Sequence, residues 1–262
     1  MNRNDVSETR AKVPAVTLGF WGIKILATTL GETAGDSVSM SWLGETTSDA
    51  TGWGYLIGTG IFMVPLVALI LAQIRAIKFN PWLYWATIIA STTAGTTMAD
   101  FATRSMGIGY TGGSALLLAC VLATLGLWHW SLGTISVDSV RSAKAEIFYW
   151  VTITFSQTLG TAVGDWAADT GGLGYAGGAF AFAGVLAVIV LLHFLTRTNR
   201  VLLFWSAFIL TRPLGATVGD FLDKPVASGG LALSRYSASV VLLVFIFGCI
   251  MLFKHEPAGK RH

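Results

Sequence analysis

The chain has 262 residues, of which 53% are hydrophobic and only 12% are charged, and its mean hydropathy is +0.65. A typical soluble domain has about a quarter of its residues charged, so this composition excludes an ordinary soluble protein and predicts that most of the chain lies in lipid. The net charge of +3 is scattered between apolar stretches and forms no dense basic patch, which argues against a nucleic-acid partner.

Residues 1–15 are polar and lack the hydrophobic run and cleavage site of a signal peptide, so we expect an N-terminal tail. Eight apolar segments follow, each of about 20 residues, the length that crosses a ~30 Å hydrocarbon core. They cover residues 17–38, 53–74, 82–103, 110–131, 147–168, 174–195, 201–222 and 234–253, and residues 254–262 form a C-terminal tail. The pattern predicts an all-α integral membrane protein with one eight-helix domain at 16–253, embedded in the lipid bilayer.

Basic residues are distributed unevenly between the two sides of these segments. The tails and the second, fourth and sixth loops carry twelve of them, whereas the other loops carry three, Arg104, Lys224 and Arg235. The positive-inside rule therefore predicts that both termini are cytoplasmic.

The odd-numbered segments are four copies of one pattern, aligned without a gap. In each copy an aromatic–Trp pair precedes an Asp, and the Trp and Asp are fifteen residues apart: Trp21 and Asp36, Trp85 and Asp100, Trp150 and Asp165, Trp205 and Asp220. Together with the even segments they form two-helix repeats at about 16–78, 79–143, 144–199 and 200–253. Two spans per unit make all units face the same way, so we expect parallel repeats around a pseudo-symmetry axis along the membrane normal.

Small residues four apart recur within these segments, and such spacing lets helix backbones approach closely. The odd segments carry Gly31 and Gly35, Gly95 and Ala99, Gly160 and Gly164, and Gly215 and Gly219. The even segments carry Gly54 and Gly58, Gly109 and Gly113, and Gly174 and Gly178. We expect helix contacts at both sets.

With these repeats, over roughly residues 17–253, the chain resembles a family of bacterial membrane proteins with four tandem two-helix repeats and a characteristic tryptophan. The resemblance implies the repeat fold and a place in the bacterial cytoplasmic (inner) membrane. It implies no activity, so function is argued from the residues.

The repeated Asp residues are expected to lie inside the membrane. Fifteen residues of helix rise about 22 Å, so with each Trp in a cytoplasmic aromatic belt, each Asp lies roughly three quarters of the way across. Intramembrane acids usually face a bundle interior, and four copies point to one shared cavity. The structural alternatives are helix capping, pairing of Asp100 with Arg104, or binding of outer-loop amides.

Two positions differ between the repeats, and a ligand that binds once must use such differences. Seven residues after the Trp the chain has Thr28, Thr92, Gln157 and Arg212, and eleven residues after it has Glu32, Thr96, Thr161 and Ala216. Glu32 and Arg212 are therefore the sharpest candidate pair. Lys24 is expected to snorkel to the cytoplasmic interface, with membership of the site as the alternative.

The candidate ion-binding residues are Glu32, Asp36, Asp100, Asp165, Asp220, Arg212, Thr96, Thr161 and Gln157, with Lys24, Thr28 and Thr92 as possible additions. Five carboxylates against two basic groups leave a net −3, which predicts bound cations or protons. No thiolate or imidazole lies at this depth, and oxygen ligands suit hard cations, so Glu32, Asp36, Asp100 and Asp165 are candidate metal ligands. We expect no organic cofactor.

These features favour a secondary transporter that exchanges a metal ion such as Mn²⁺ or Mg²⁺, or another small charged substrate, for protons. A cation channel and a non-catalytic scaffold or binding protein stay open, as does a homo-oligomer. The GxxxGD pattern differs in spacing from the GxGD of intramembrane aspartyl proteases, and four copies are not a dyad, so we expect no enzyme.

Overall fold

The computed structural model describes residues 11–259, and within this range the chain forms eight long α-helices and no β-strand. The helices are α1 Leu18–Asp36, α2 Trp53–Arg75, α3 Pro81–Asp100, α4 Gly109–Leu132, α5 Ala143–Asp165, α6 Gly174–Leu195, α7 Arg200–Asp223 and α8 Arg235–Leu252. Each coincides with one predicted segment to within a few residues. Arg3, Arg10, Lys260 and Arg261, which contribute to the orientation argument, lie outside the described residues.

The odd-numbered helices begin at polar N-caps, and α1, α3 and α5 end at the repeated Asp. The side chains of Thr17, Asn80, Ser142 and Asn199 accept hydrogen bonds from backbone N–H groups of the first turn, which would otherwise lack partners. A π-helical turn follows the Asp in the first three repeats, at Ser37–Trp42, Phe101–Ser105 and Trp166–Thr170. In the fourth repeat α7 instead continues to Asp223.

Four helices, α1, α3, α5 and α7, form a closed inner ring in which each contacts two neighbours and α7 returns to α1. Each outer helix packs against the inner helix of the following repeat: α2 on α3, α4 on α5, α6 on α7, and α8 on α1. The two-helix repeats are therefore interlocked around the ring and are not separate hairpins.

Glycines hold the inner helices close together, as the small-residue spacing predicted. A Cβ at the glycine ten residues after each Trp would lie too close to the residue seven positions after the Trp of the next repeat. The pairs are Gly31 with Thr92, Gly95 with Gln157, Gly160 with Arg212, and Gly215 with Thr28. Larger residues at these four glycines would force the ring apart.

The outer-helix glycines behave less uniformly than the spacing predicted. Gly58 and Gly178 do contact the next inner helix, against Thr97 and Thr217. Gly109 and Gly174 have no neighbour within 4 Å and adopt φ values of +65° and +63°. The expectation of a packing role was wrong for these two, which serve instead to start α4 and α6 in a conformation that glycine adopts readily.

Five helices, α2, α4, α6, α7 and α8, are long and apolar enough to cross a membrane by their length and composition. The outer helices expose many apolar side chains, and α6 buries only Gly178. Such surfaces indicate a multi-pass membrane protein. The remaining inner helices, α1, α3 and α5, carry hydroxyl and acidic side chains that the ring buries.

The repeated tryptophans pack inside one end of the ring. Trp85, Trp150 and Trp205 are at most 3% exposed and belong to one aromatic-rich core, against which Trp21 packs. The prediction of an interfacial aromatic belt was therefore wrong for these residues. Because fifteen residues are close to four helical turns, a Trp lies near the same helix face as its inward-pointing Asp.

The chain segments before α1 and after α8 cover this Trp end. The backbone N–H of Ala15 donates to Glu256 O and that of Ala258 to Val13 O, both at 2.8 Å. Val13 and Ala258 are buried in the same core as the tryptophans. The described parts of both predicted tails are thus packed against the bundle.

Candidate functional site

Four layers of side chains fill the interior of the inner ring. They come from positions 3, 7, 11 and 15 after each Trp, a spacing that keeps one helix face inward. The layers contain Lys24, Ile88, Ile153 and Phe208; Thr28, Thr92, Gln157 and Arg212; Glu32, Thr96, Thr161 and Ala216; and Asp36, Asp100, Asp165 and Asp220. All sixteen are at most 3% exposed, so the sequence-predicted site residues do share one buried column.

Arg212 links all four inner helices at the middle of this column. From α7, its Nη2 lies 2.8 Å from Glu32 Oε2 on α1 and 2.6 Å from Thr96 Oγ1 on α3. The same nitrogen contacts Thr161 Oγ1 on α5, and Nη1 donates to the backbone oxygen of Thr28 at 3.3 Å. The candidate Glu32–Arg212 pair is therefore formed.

Basic side chains at the Asp end of the ring, opposite the Trp end, bridge the four repeated aspartates. Arg104 Nε lies 2.8 Å from Asp100 Oδ1, and its Nη2 lies 3.2 Å from Asp165 Oδ2. Lys224 Nζ lies 2.8 Å from Asp220 Oδ1 and also contacts Asp36 Oδ2. Each cation thus joins the acids of two neighbouring repeats.

These bridges correct the predicted charge balance. We expected Arg104, Lys224 and Arg235 in outer loops, but they pair with buried acids, including Asp223, whose Oδ2 lies 2.9 Å from Arg235 Nε. The column then holds six carboxylates and five basic groups, a net −1. The sequence pattern that could have indicated two of these pairs is the spacing of Arg104 and Lys224, which follow Asp100 and Asp220 by four residues, about one helical turn.

Two groups of carboxylates converge closely enough to hold a metal ion. Glu32, Asp165 and Asp220 each offer an oxygen within 4.8 Å of the others, and Asp36, Asp220 and Asp223 do the same. The predicted metal ligands are thus divided: Glu32 and Asp165 fall in one group and Asp36 in the other, while Asp100 belongs to neither. Asp220 is common to both groups, although it was predicted as an ion-binding residue and not as a metal ligand.

Lys24 lies inside the ring and does not snorkel. It is 0% exposed, its Nζ lies 3.4 Å from Gln157 Oε1, and the same atom lies 4.2 Å from the centre of the Phe208 ring. The interfacial prediction for Lys24 was wrong because the residue shares the inward face of α1 with Thr28, Glu32 and Asp36, each four residues further on.

The remaining candidates differ in their hydrogen bonding. The Thr28 hydroxyl donates to backbone oxygens, including Thr211 O at 3.2 Å on α7. The hydroxyl of Thr92 and the Nε2 of Gln157 are buried without a hydrogen-bond partner among the described residues. Buried polar atoms of this kind are rare in folded proteins.

Comparison with known proteins gives one family. The family model described as a repeat of unknown function (DUF347) matches four times, at residues 19–79, 83–134, 148–199 and 203–254. No curated protein and no solved structure matches the chain. The four matches coincide with the four interlocked repeats and cover most of the chain, which therefore belongs to this repeat family.

Proposed function

We propose that this protein is a secondary membrane transporter that exchanges a hard or borderline metal cation, such as Mn²⁺ or Mg²⁺, for protons. The observation that supports this most directly is the convergence of Glu32, Asp165 and Asp220, three buried acids from three different helices, to within 4.8 Å. Carboxylate oxygens are the ligands that such cations prefer. Acids this deep in a bundle are costly and typically mark an ion pathway.

Each acid of this triad is held by a cation of the protein itself: Glu32 by Arg212, Asp165 by Arg104 and Asp220 by Lys224. Entry of a metal ion would require these basic groups to release the carboxylates. Departure of the metal would be compensated by protons or by the same basic groups. The internal pairs therefore supply a way for the column to change conformation without carrying a large uncompensated charge through lipid.

In this proposal all eight helices span a bacterial cytoplasmic membrane, with the ring axis along the membrane normal. The Trp end and both termini face the cytoplasm. The basic residues near that end, Lys12, Arg75, Lys78, Arg141 and Lys144, support this orientation by the positive-inside rule.

The test is Mn²⁺ uptake into proteoliposomes driven by an imposed pH gradient. We expect Asp165→Asn to lower uptake at least tenfold, because the amide supplies no charge to the triad. Asp169→Asn is the matched control, since Asp169 is exposed and lies four residues further on. Both variants must keep the elution profile and melting transition of the wild type.

Other outcomes decide between the alternatives. Undiminished uptake by a folded Asp165→Asn variant would overturn the proposal. Mn²⁺ current through the wild type without proton movement would identify a channel instead. Loss of assembly in the Asp165→Asn variant, with no metal flux in the wild type, would favour a scaffold.

A further inference from the structure

We infer that the inner ring binds a small monovalent anion beside Lys24, between the buried tryptophans and the Glu32–Arg212 pair. This site is separate from the acidic triad of the proposed function. It rests on the buried amino group of Lys24, which has no carboxylate partner among the described residues, and on the hydrogen-bond donors of the next layer.

Lys24 is a buried basic group without a counter-ion among the described residues. No carboxylate of the described residues lies within 4.0 Å of its Nζ, and its polar contact is the 3.4 Å approach to Gln157 Oε1. That distance is long for a hydrogen bond, and the Phe208 ring face provides only partial compensation. The protonated form of a lysine buried in this way is unfavourable unless an opposite charge accompanies it.

The neighbouring layer offers donors that lack acceptors. Gln157 presents Oε1 towards Lys24, while its Nε2 has no hydrogen-bond partner among the described residues. In the same layer, Arg212 Nε and the Thr92 hydroxyl are also buried and without a partner. A species that accepts hydrogen bonds would satisfy such groups, whereas a metal cation offers them no acceptor.

The charge of this part of the column selects an anion of single charge. The three layers nearest the Trp end contain two basic groups, Lys24 and Arg212, and one carboxylate, Glu32. Glu32 is already engaged by Arg212 at 2.8 Å. When Lys24 is protonated these groups sum to +1, which one monovalent anion would neutralise. Both a halide and the carboxylate of a small organic acid have the required chemistry.

The experiment measures the melting midpoint of the purified full-length protein in neutral detergent, with sodium gluconate as the bulky reference salt. At constant ionic strength, chloride or acetate replaces gluconate. We expect a saturable rise of several degrees for the wild type, because a ligand that binds only the folded state stabilises it. A response to chloride alone identifies an inorganic anion, and a response to acetate identifies an organic carboxylate.

Gln157→Glu is the decisive variant because it places a carboxylate of the same shape next to Lys24. We expect it to melt higher than the wild type in gluconate and to lose the response to chloride and acetate. Lys24→Met should also lose the response, whereas Lys144→Met, at an exposed position on α5, should keep it. Asp165→Asn should keep it as well, which separates this site from the transport proposal.

The inference is overturned if neither anion shifts the wild-type midpoint beyond the gluconate reference. It is also overturned if Gln157→Glu responds to anions as the wild type does. Because Gln157→Glu leaves the side-chain volume in the core almost unchanged, its response to anions tests the inference even if Lys24→Met does not fold.

Discussion

Replacing Arg212 with Met tests whether the central guanidinium holds the ring together. The change removes the 2.8 Å ion pair with Glu32 and the hydrogen bonds to Thr96 and Thr161, and it leaves a buried carboxylate without a partner. Breaking a buried ion pair from one side costs about 3–5 kcal/mol. At about 1.4 kcal/mol per tenfold change, the unfolding equilibrium should shift by about two to more than three orders of magnitude.

The double variant Glu32→Gln, Arg212→Met isolates the interaction between the two side chains. Removing the stranded charge should recover part of the loss, so we expect a coupling energy of about 2 kcal/mol. The assay is equilibrium unfolding in mixed micelles titrated with SDS at pH 8, followed by tryptophan fluorescence. Arg197→Met, at an exposed position between α6 and α7, is the control and should cost less than about 0.5 kcal/mol.

Two results would refute this reasoning. One is an Arg212→Met variant as stable as the control. The other is a double variant whose loss equals the sum of the two single losses, because additivity would mean that Glu32 and Arg212 do not depend on each other.

Further predictions concern the glycine contacts, the buried tryptophans and the outer cations. Gly160→Ala should destabilise the protein by about 1–3 kcal/mol in the same assay, because its Cβ overlaps the Arg212 side chain, whereas Gly184→Ala, with open space around it, should not. Trp85→Ala, in the core, should cost about 3–5 kcal/mol, and Trp130→Ala, which is 85% exposed, should cost much less; equal losses would contradict the packing of the Trp end. Lys224→Met leaves Asp36 and Asp220 without their shared cation, so its melting midpoint should fall below that of the wild type, whereas Lys144→Met, at an exposed position on α5, should not change it; equal midpoints for the two variants would contradict this role.

Periodicity made much of the fold predictable. A fixed Trp–Asp interval in four copies sets the same spacing of inward-facing positions on four helices, and the glycines ten residues after each Trp mark where neighbouring backbones meet. The partnership of Glu32 with Arg212 could also be anticipated. An unmatched acid in one repeat and an unmatched base in another must find each other when lipid offers no alternative.

Other features depend on which helix faces come together. The aromatic belt was predicted because Trp suits a membrane interface, but the ring turns three of the four inward. The pairing of Arg104 with Asp100 was an expected alternative and is formed. The second contact of Arg104, with Asp165, and the contacts of Lys224 were missed, because both basic residues follow an Asp at the end of an apolar segment, where a long side chain can turn either inward or outward. Lys24 carried a usable signal, its spacing of four from Thr28 and Glu32, which predicts an inward face.

The interlocked packing has a consequence for the order in which the ring is completed. Since α8 packs on α1, the first inner helix gains its outer partner only when the last helix of the described chain has been made. Residues 14 and 257 lie side by side in an antiparallel bridge, so the ends of the bundle could be joined and the chain opened elsewhere. A circular permutant opened between α1 and α2 would place every outer helix directly before the inner helix it covers. In such a chain each inner helix would follow its outer helix directly. The same ring could then form from helix pairs that are adjacent in the sequence.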